Sequence, residues 1–181
     1  MSERHPIIAI TGSSGAGTST VTRTFQNIFR REGVKAAVIG VVPTINLEWI
    51  QKLIRDKTQR GYSQEAVVDT ILRRMPDYVH YIVQQFGLTH VNFQRVPVVD
   101  TSNPFITRDI PTADESVCVV RFAQPKGIDF QYLLSMINGS WMSRANTIVV
   151  PGGKMELTMQ LIFTPFIWRM MERKKRALGL A

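Results

Sequence analysis

The sequence predicts an α/β fold on a mostly parallel sheet with helices on both faces. Three observations predict it. Short apolar runs alternate with stretches of helical periodicity. The first apolar run leads straight into a glycine-rich loop and then a helix. Hydrophobic residues make up 44% of the chain, the share of an ordinary globular domain, which excludes wholesale disorder. The 181 residues suit a single domain.

The elements follow in order. Ile7, Ile8, Ala9 and Ile10 form a continuous apolar run that reads as a buried parallel strand. Residues 12–17 are a Gly/Ser loop, and a helix runs from Thr18 to about Arg31 with Val21, Phe25, Ile28 and Phe29 on its apolar face. Gly33 stops it. Val34 to Val42 reads as one long strand interrupted by Gly40. Leu47 to about Gln59 is an amphipathic helix, and Ser63 is the N-cap of a longer helix to about Phe86, which Pro76 kinks or splits. Val91–Val99, Val117–Phe122 and Asn146–Val150 read as strands, with a helix over Asp129–Ile137. Pro151-Gly152-Gly153 ends the last strand, and a final helix runs from Met155 to Arg176.

Lysine and arginine total 22 against 14 acids, giving a net charge of +8, which suits anionic partners without choosing among them. Cys118 is the only cysteine, which excludes an intrachain disulfide and a cysteine zinc site; its apolar strand predicts a buried, inert thiol. The apolar run near the N-terminus is too short for a signal peptide, and no stretch is long enough to span a membrane, so the expected location is the cytoplasm.

The sharpest motif is Gly12-Ser13-Ser14-Gly15-Ala16-Gly17-Thr18-Ser19-Thr20 between strand and helix. Gly12, Gly17 and Ser19 fit the phosphate-loop pattern GxxxxGK[ST]. Its glycines let backbone N–H groups face a phosphate chain, the helix N-terminus adds a favourable dipole, and Ser19 is placed to reach Mg²⁺. Thr18 stands where the motif has lysine, so the cation on the terminal phosphates must come from elsewhere. The plainer alternative is an ordinary Gly/Ser turn.

One source of cations is the helix from Leu47. At 100° per residue with Lys52 at zero, Arg55, Asp56 and Arg60 fall at roughly 300°, 40° and 80°. Leu47, Ile50 and Ile54 fall opposite, at roughly 220°, 160° and 200°. This is either a solvated face with i,i+4 pairs or a lid bringing positioned charge to a transferring phosphoryl group. Arg73, Arg74, Arg121 and Arg144 are further anion-ligand candidates, with surface solubility as the alternative. The run Arg173 to Arg176 reads as a solvated helix end with no aromatic platform nearby, so no nucleic-acid partner is expected. His5, His80 and His90 lack metal-ligand spacing.

The phosphate loop and charged helix together resemble the bacterial class of phosphoribulokinase, the ATP-dependent kinase of the Calvin cycle. The resemblance runs through residues 5–21, 28–37, 41–56, 60–75, 91–105, 110–116 and 139–146, nearly the whole chain. It implies a P-loop kinase-type fold, and the family shares threonine at the position of Thr18. It implies that Gly12 to Thr20 hold the ATP phosphates with Mg²⁺ at Ser19. Lys52, Arg55, Asp56 and Arg60 match functional lid-helix positions, and Arg31, Arg74, Arg121 and Arg144 match arginines tied to allosteric control. Its further implications are D-ribulose 5-phosphate as acceptor, NADH as activator, AMP as inhibitor and a homo-oligomer, typically an octamer. A uridine-kinase-like enzyme and a catalytically inactive nucleotide-binding protein are the alternatives.

Family members carry a longer chain. Their additional segment, with the catalytic base and the acidic metal-binding strand, falls between Ile39 and Gly40 of this sequence. Residues 1–39 then form a phosphate-loop unit and 40–181 the lid helix and C-terminal part of one domain. Either two noncontiguous stretches of a complete kinase stand joined here, or the chain is internally deleted. The 181 residues alone are expected to be inactive.

Overall fold

A computed structural model describes residues 23–25, 27–28 and 42–180. The first apolar strand, the phosphate loop Gly12 to Thr20 with Ser19, Gly33, Arg31 and the Ile39–Gly40 join lie outside the described residues.

The described sheet has five strands: β1 (Val42–Pro43), β2 (Val91–Pro97), β3 (Ser116–Phe122), β4 (Trp141–Arg144) and β5 (Thr147–Pro151). Their order is β1-β2-β3-β5-β4. Only β1 and β2 pair in parallel, with Val42 opposite Gln94. The β2–β3, β3–β5 and β4–β5 pairs are antiparallel. The mostly parallel sheet of the sequence reading is therefore corrected for this part of the chain. For β4 and β5 the connection is only residues 145–146, with no crossover helix, so only a reversal can join that pair.

The helices are α1 (Ile45–Arg60), α2 (Gln64–Asp77), α3 (Gln84–Leu88), α4 (Phe130–Met136) and α5 (Met155–Ala177). Gly61, at φ 68°, takes the left-handed turn that ends α1. Ser63 caps α2 as expected, its Oγ accepting from the Ala66 N–H at 3.2 Å. Pro76 cannot donate a helical hydrogen bond, and a π-helical turn, Tyr78–Val83, takes up the mismatch before α3. Asp129 caps α4, accepting from Tyr132 N at 2.9 Å.

Alternation along β3 buries Ser116, Cys118, Val120 and Phe122 on one face. Phe93, Ile148 and Val150 join them, covered by Leu133 from α4, Ile137 at its C-cap, and Met159, Ile162 and Ile167 from α5. Phe25 and Ile28 complete this core, with the Phe25 and Phe163 rings 5.0 Å apart. The Cys118 thiol is buried, and desolvation pushes its pKa up to about 12. On the other face Arg121 Nη1 donates to the Phe86 carbonyl at 3.3 Å, which draws α3 over the sheet.

Candidate active site

Along α1, Leu47, Ile50 and Leu53 turn inward at every third position. Each such step falls short of a full turn, so the row drifts around the helix, and its next member is Asp56. Asp56 is only 4% exposed. Leu53, not Ile54, completes the apolar stripe; Ile54 is half-buried. The solvated-face alternative is corrected for Asp56, whose carboxylate is buried.

A buried carboxylate needs partners. Arg55 Nε donates to Asp56 Oδ1 at 2.9 Å, and Arg60 Nη1 lies 3.2 Å from the same oxygen. The Asp56–Arg60 pair of the sequence reading is present. Asp56's second partner is its neighbour Arg55, and no Lys52–Asp56 ion pair forms. Lys52 instead sits half-buried with its pKa lowered, chiefly by desolvation, with Asp56 opposing the shift and Arg74 adding to it.

Leu53, Val67 and Ile71 clamp α1 to α2. Between these helices lies a cleft of about 600 Å³, lined by Lys52, Arg55, Arg60 and Arg74 together with Trp49 and Tyr78. Burial pushes the Tyr78 hydroxyl pKa up. Cations gathered on a half-enclosed wall raise the local concentration of anions and strengthen their binding. Four of them suit a polyphosphate or sugar phosphate. Among the described residues no cluster of His, Cys, Asp and Glu could hold a metal ion.

The arginines grouped by resemblance divide. Arg74 joins the α1 cleft. Arg121 and Arg144 meet on the opposite sheet face in a second cleft of about 430 Å³, with Asn92, Gln94, Ser143 and Asn146. The aromatic rim of the first cleft was missed by sequence reasoning. Trp49 precedes Lys52 by three residues, roughly one helical turn, which is the signal that could have found it. Phe166 and Trp168, earlier on α5 than the Arg173–Arg176 run, are exposed. No helix among the described residues is long and apolar enough to cross a membrane.

The chain matches the Phosphoribulokinase / Uridine kinase family in two pieces, residues 7–40 and 37–102. They meet where the sequence reading sets the join between Ile39 and Gly40. It is 50% identical to the chromosomal phosphoribulokinase of Cupriavidus necator in an alignment of 290 residues, covering 98% of this chain and 99% of that one. It is 72% identical to a phosphoribulokinase of Sinorhizobium medicae over 138 residues, 76% of this chain and 48% of that one. A solved phosphoribulokinase from Rhodobacter spheroides superposes with a TM-score of 0.85 at 42% identity, over 96% of this chain and 100% of that chain. An alignment of 290 residues on a chain of 181 must open a long gap.

Proposed function

We propose, on the premise that the chain belongs to the phosphoribulokinase / uridine kinase family, that its chemistry is the ATP-dependent phosphorylation of D-ribulose 5-phosphate to ribulose 1,5-bisphosphate. The observation that carries this is the α1 face: three cations and a buried carboxylate on a cleft, in a chain matched end to end by phosphoribulokinases. Arg55 and Arg60 hold phosphoryl oxygens, with Asp56 fixing their direction. Lys52, partly desolvated, supplies charge to the transferring group, the task that Thr18 cannot perform. The loop Gly12 to Thr20 cradles the ATP phosphates through backbone N–H groups. Ser19, together with the acidic strand that the resemblance places in the additional segment, would hold Mg²⁺, which would supply neutralising charge for phosphoryl transfer.

By the resemblance, the base that accepts the acceptor hydroxyl proton lies in the segment falling between Ile39 and Gly40. The 181 residues alone therefore bind phosphate compounds without turnover. The cleft of Arg121 and Arg144 is the effector site, where NADH activates the complete enzyme. The complete enzyme is a cytoplasmic homo-oligomer.

ATP consumption tests the reading in two proteins: this chain, and this chain with the corresponding Cupriavidus necator segment inserted after Ile39. The expected result is no turnover in the first and turnover dependent on D-ribulose 5-phosphate in the second. Dependence on uridine instead would overturn the assignment in favour of the uridine-kinase-like alternative. Turnover by the uninserted chain would show that its base lies within these 181 residues.

A further inference from the structure

The excursion between β2 and β3, residues 98–115, leaves the sheet and returns to it across the start of α1. Its base is held by Arg95. The Arg95 backbone carbonyl accepts from Thr44 N, at the N-cap of α1, at 3.1 Å. The Arg95 side chain donates to the Pro111 carbonyl at 2.6 Å and to Ser116 Oγ at 2.9 Å. One residue thus joins the beginning of the helix to the end of the loop. The loop's tip is shaped from within, as Asn103 Oδ1 accepts from Phe105 N at 3.0 Å and the Asn103 carbonyl accepts from Thr107 Oγ1 at 3.0 Å. It reaches α1 at two places. Asn46 Nδ2 donates to the Thr101 carbonyl at 3.3 Å, and the Phe105 ring stands edge-on to Trp49, centroids 5.9 Å apart and planes at 67°.

Trp49 is the significant contact. With Lys52 at zero, it falls at roughly 60° around α1, between Asp56 and Arg60. A ring pressing on Trp49 therefore presses on the charged face. Phe105 is 43% exposed, so apolar burial alone does not explain its placement.

We infer that loop 98–115 is a strut that sets the rotation of α1 and that Phe105 is its positioning residue for Lys52, Arg55, Asp56 and Arg60; for its consequence this rests on the phosphate-binding reading of that face. Rotation matters because the cation heads stand well off the helix axis, and a small turn carries them away from a common phosphoryl group.

The test uses the 181-residue chain carrying Trp141→Phe and Trp168→Phe, so that Trp49 alone emits. Phe105→Ala and Phe105→Tyr are compared for Trp49 emission, pyrophosphate affinity by calorimetry, melting temperature, and amide exchange over residues 52–60. The expected result for Phe105→Ala is a shifted emission and pyrophosphate affinity weakened about fivefold, the scale of an aromatic edge contact. The melting temperature stays near that of the parent. Phe105→Tyr restores emission and affinity. Parent-like affinity in Phe105→Ala, or a loss that tyrosine does not restore, overturns the inference. If the parent itself binds no pyrophosphate, the phosphate reading of α1 falls, and amide exchange still decides the strut: faster exchange in Phe105→Ala supports it and unchanged exchange overturns it.

Discussion

Asp56→Asn removes one charge from the centre of the proposed site while keeping its shape. The carboxylate is 4% exposed and touches two guanidinium groups. Breaking a fully buried ion pair by deleting one partner costs about 3–5 kcal/mol. Here the Arg55 and Arg60 side chains remain 27% and 54% exposed, so water recovers much of their solvation. The loss falls to about 1–2 kcal/mol, between the buried and surface limits. In a domain of this size each kcal/mol moves the melting temperature by about 2–4 °C, so the midpoint drops by about 2–8 °C. Anion binding moves the other way. A unit charge beside a bound phosphate costs about 4 kcal/mol at 4 Å and an effective dielectric of 20, and screening leaves enough of this for about a tenfold gain in pyrophosphate affinity at low salt. In the segment-restored enzyme kcat nevertheless falls, by more than the ~0.2–0.5 kcal/mol of an exposed i,i+4 pair explains, because the arginines lose their fixed direction. The assays are thermal melting, calorimetry at two salt concentrations, and initial rates. A melting shift below ~1 °C with normal kinetics would mean an ordinary surface pair and refute the argument.

Three further outcomes are expected. Gly152 packs so closely that an added Cβ would lie 2.7 Å from the Ser116 carbonyl oxygen and 2.5 Å from Ser116 Oγ; Gly152→Ala should destabilise the fold by about 1–3 kcal/mol in denaturant melts, and an unchanged midpoint would refute this contact. Burial holds the Cys118 thiol protonated to a pKa of about 12 against 9.0 unfolded, so its contribution to stability is whole below pH 9.0 and is lost as pH rises towards 12. Cys118→Ala should flatten the alkaline decline in stability, and labelling of the native thiol at neutral pH should proceed only as fast as the protein opens. For the second cleft, Arg121→Ala or Arg144→Ala should weaken NADH binding, followed by nucleotide fluorescence, while leaving pyrophosphate binding at α1 unchanged; a joint loss would dissolve the two-site assignment.

The sequence carried the long periodic elements well, because each is set by a local signal. Ser63 marked the start of α2 with its own side chain, and Asp129 lay at the start of α4. The hairpin strand β4 was missed. It has only four residues, exposes Trp141, and turns through Ala145-Asn146 without the glycine that announces a tight hairpin. The antiparallel pairing was illegible for a related reason: strand direction depends on what connects the strands, and an apolar run such as Val117–Phe122 reads the same either way. At the site, the sequence grouped Lys52, Arg55, Asp56 and Arg60 on one face but left open whether that face was solvated or a lid, and gave no sign that the carboxylate is buried. Helical angles locate a residue around its own axis and say nothing of the neighbour beyond it; Val67 and Ile71 of α2 turn that face into a wall. Arg74 joining Lys52, and Arg121 meeting Arg144, are tertiary facts with no local signature.

The position of the gap relative to the core explains what the chain retains. The main cluster draws Phe25 and Ile28 from before the join and everything else from Phe93 onward. Its sheet face, α4 and α5 all lie on the C-terminal side, where the strand pairs β2–β3 and β3–β5 are continuous in register. Among the described residues this core is assembled almost wholly from the C-terminal side of the join. The α1–α2 arm is different. The cluster of α1 with α2 is small, Leu53, Val67 and Ile71, while Leu47 and Ile50 at the start of α1 are fully buried and Thr44, Asn46 and Trp49 tie it to β2 and the 98–115 loop. Burial thus anchors the first turns of α1, and its later turns, which carry Arg55 and Arg60, rest on the small cluster with α2. The residues proposed to handle phosphate therefore sit on a helix held at its start by buried Leu47 and Ile50 and by the 98–115 loop, and joined to α2 through Leu53.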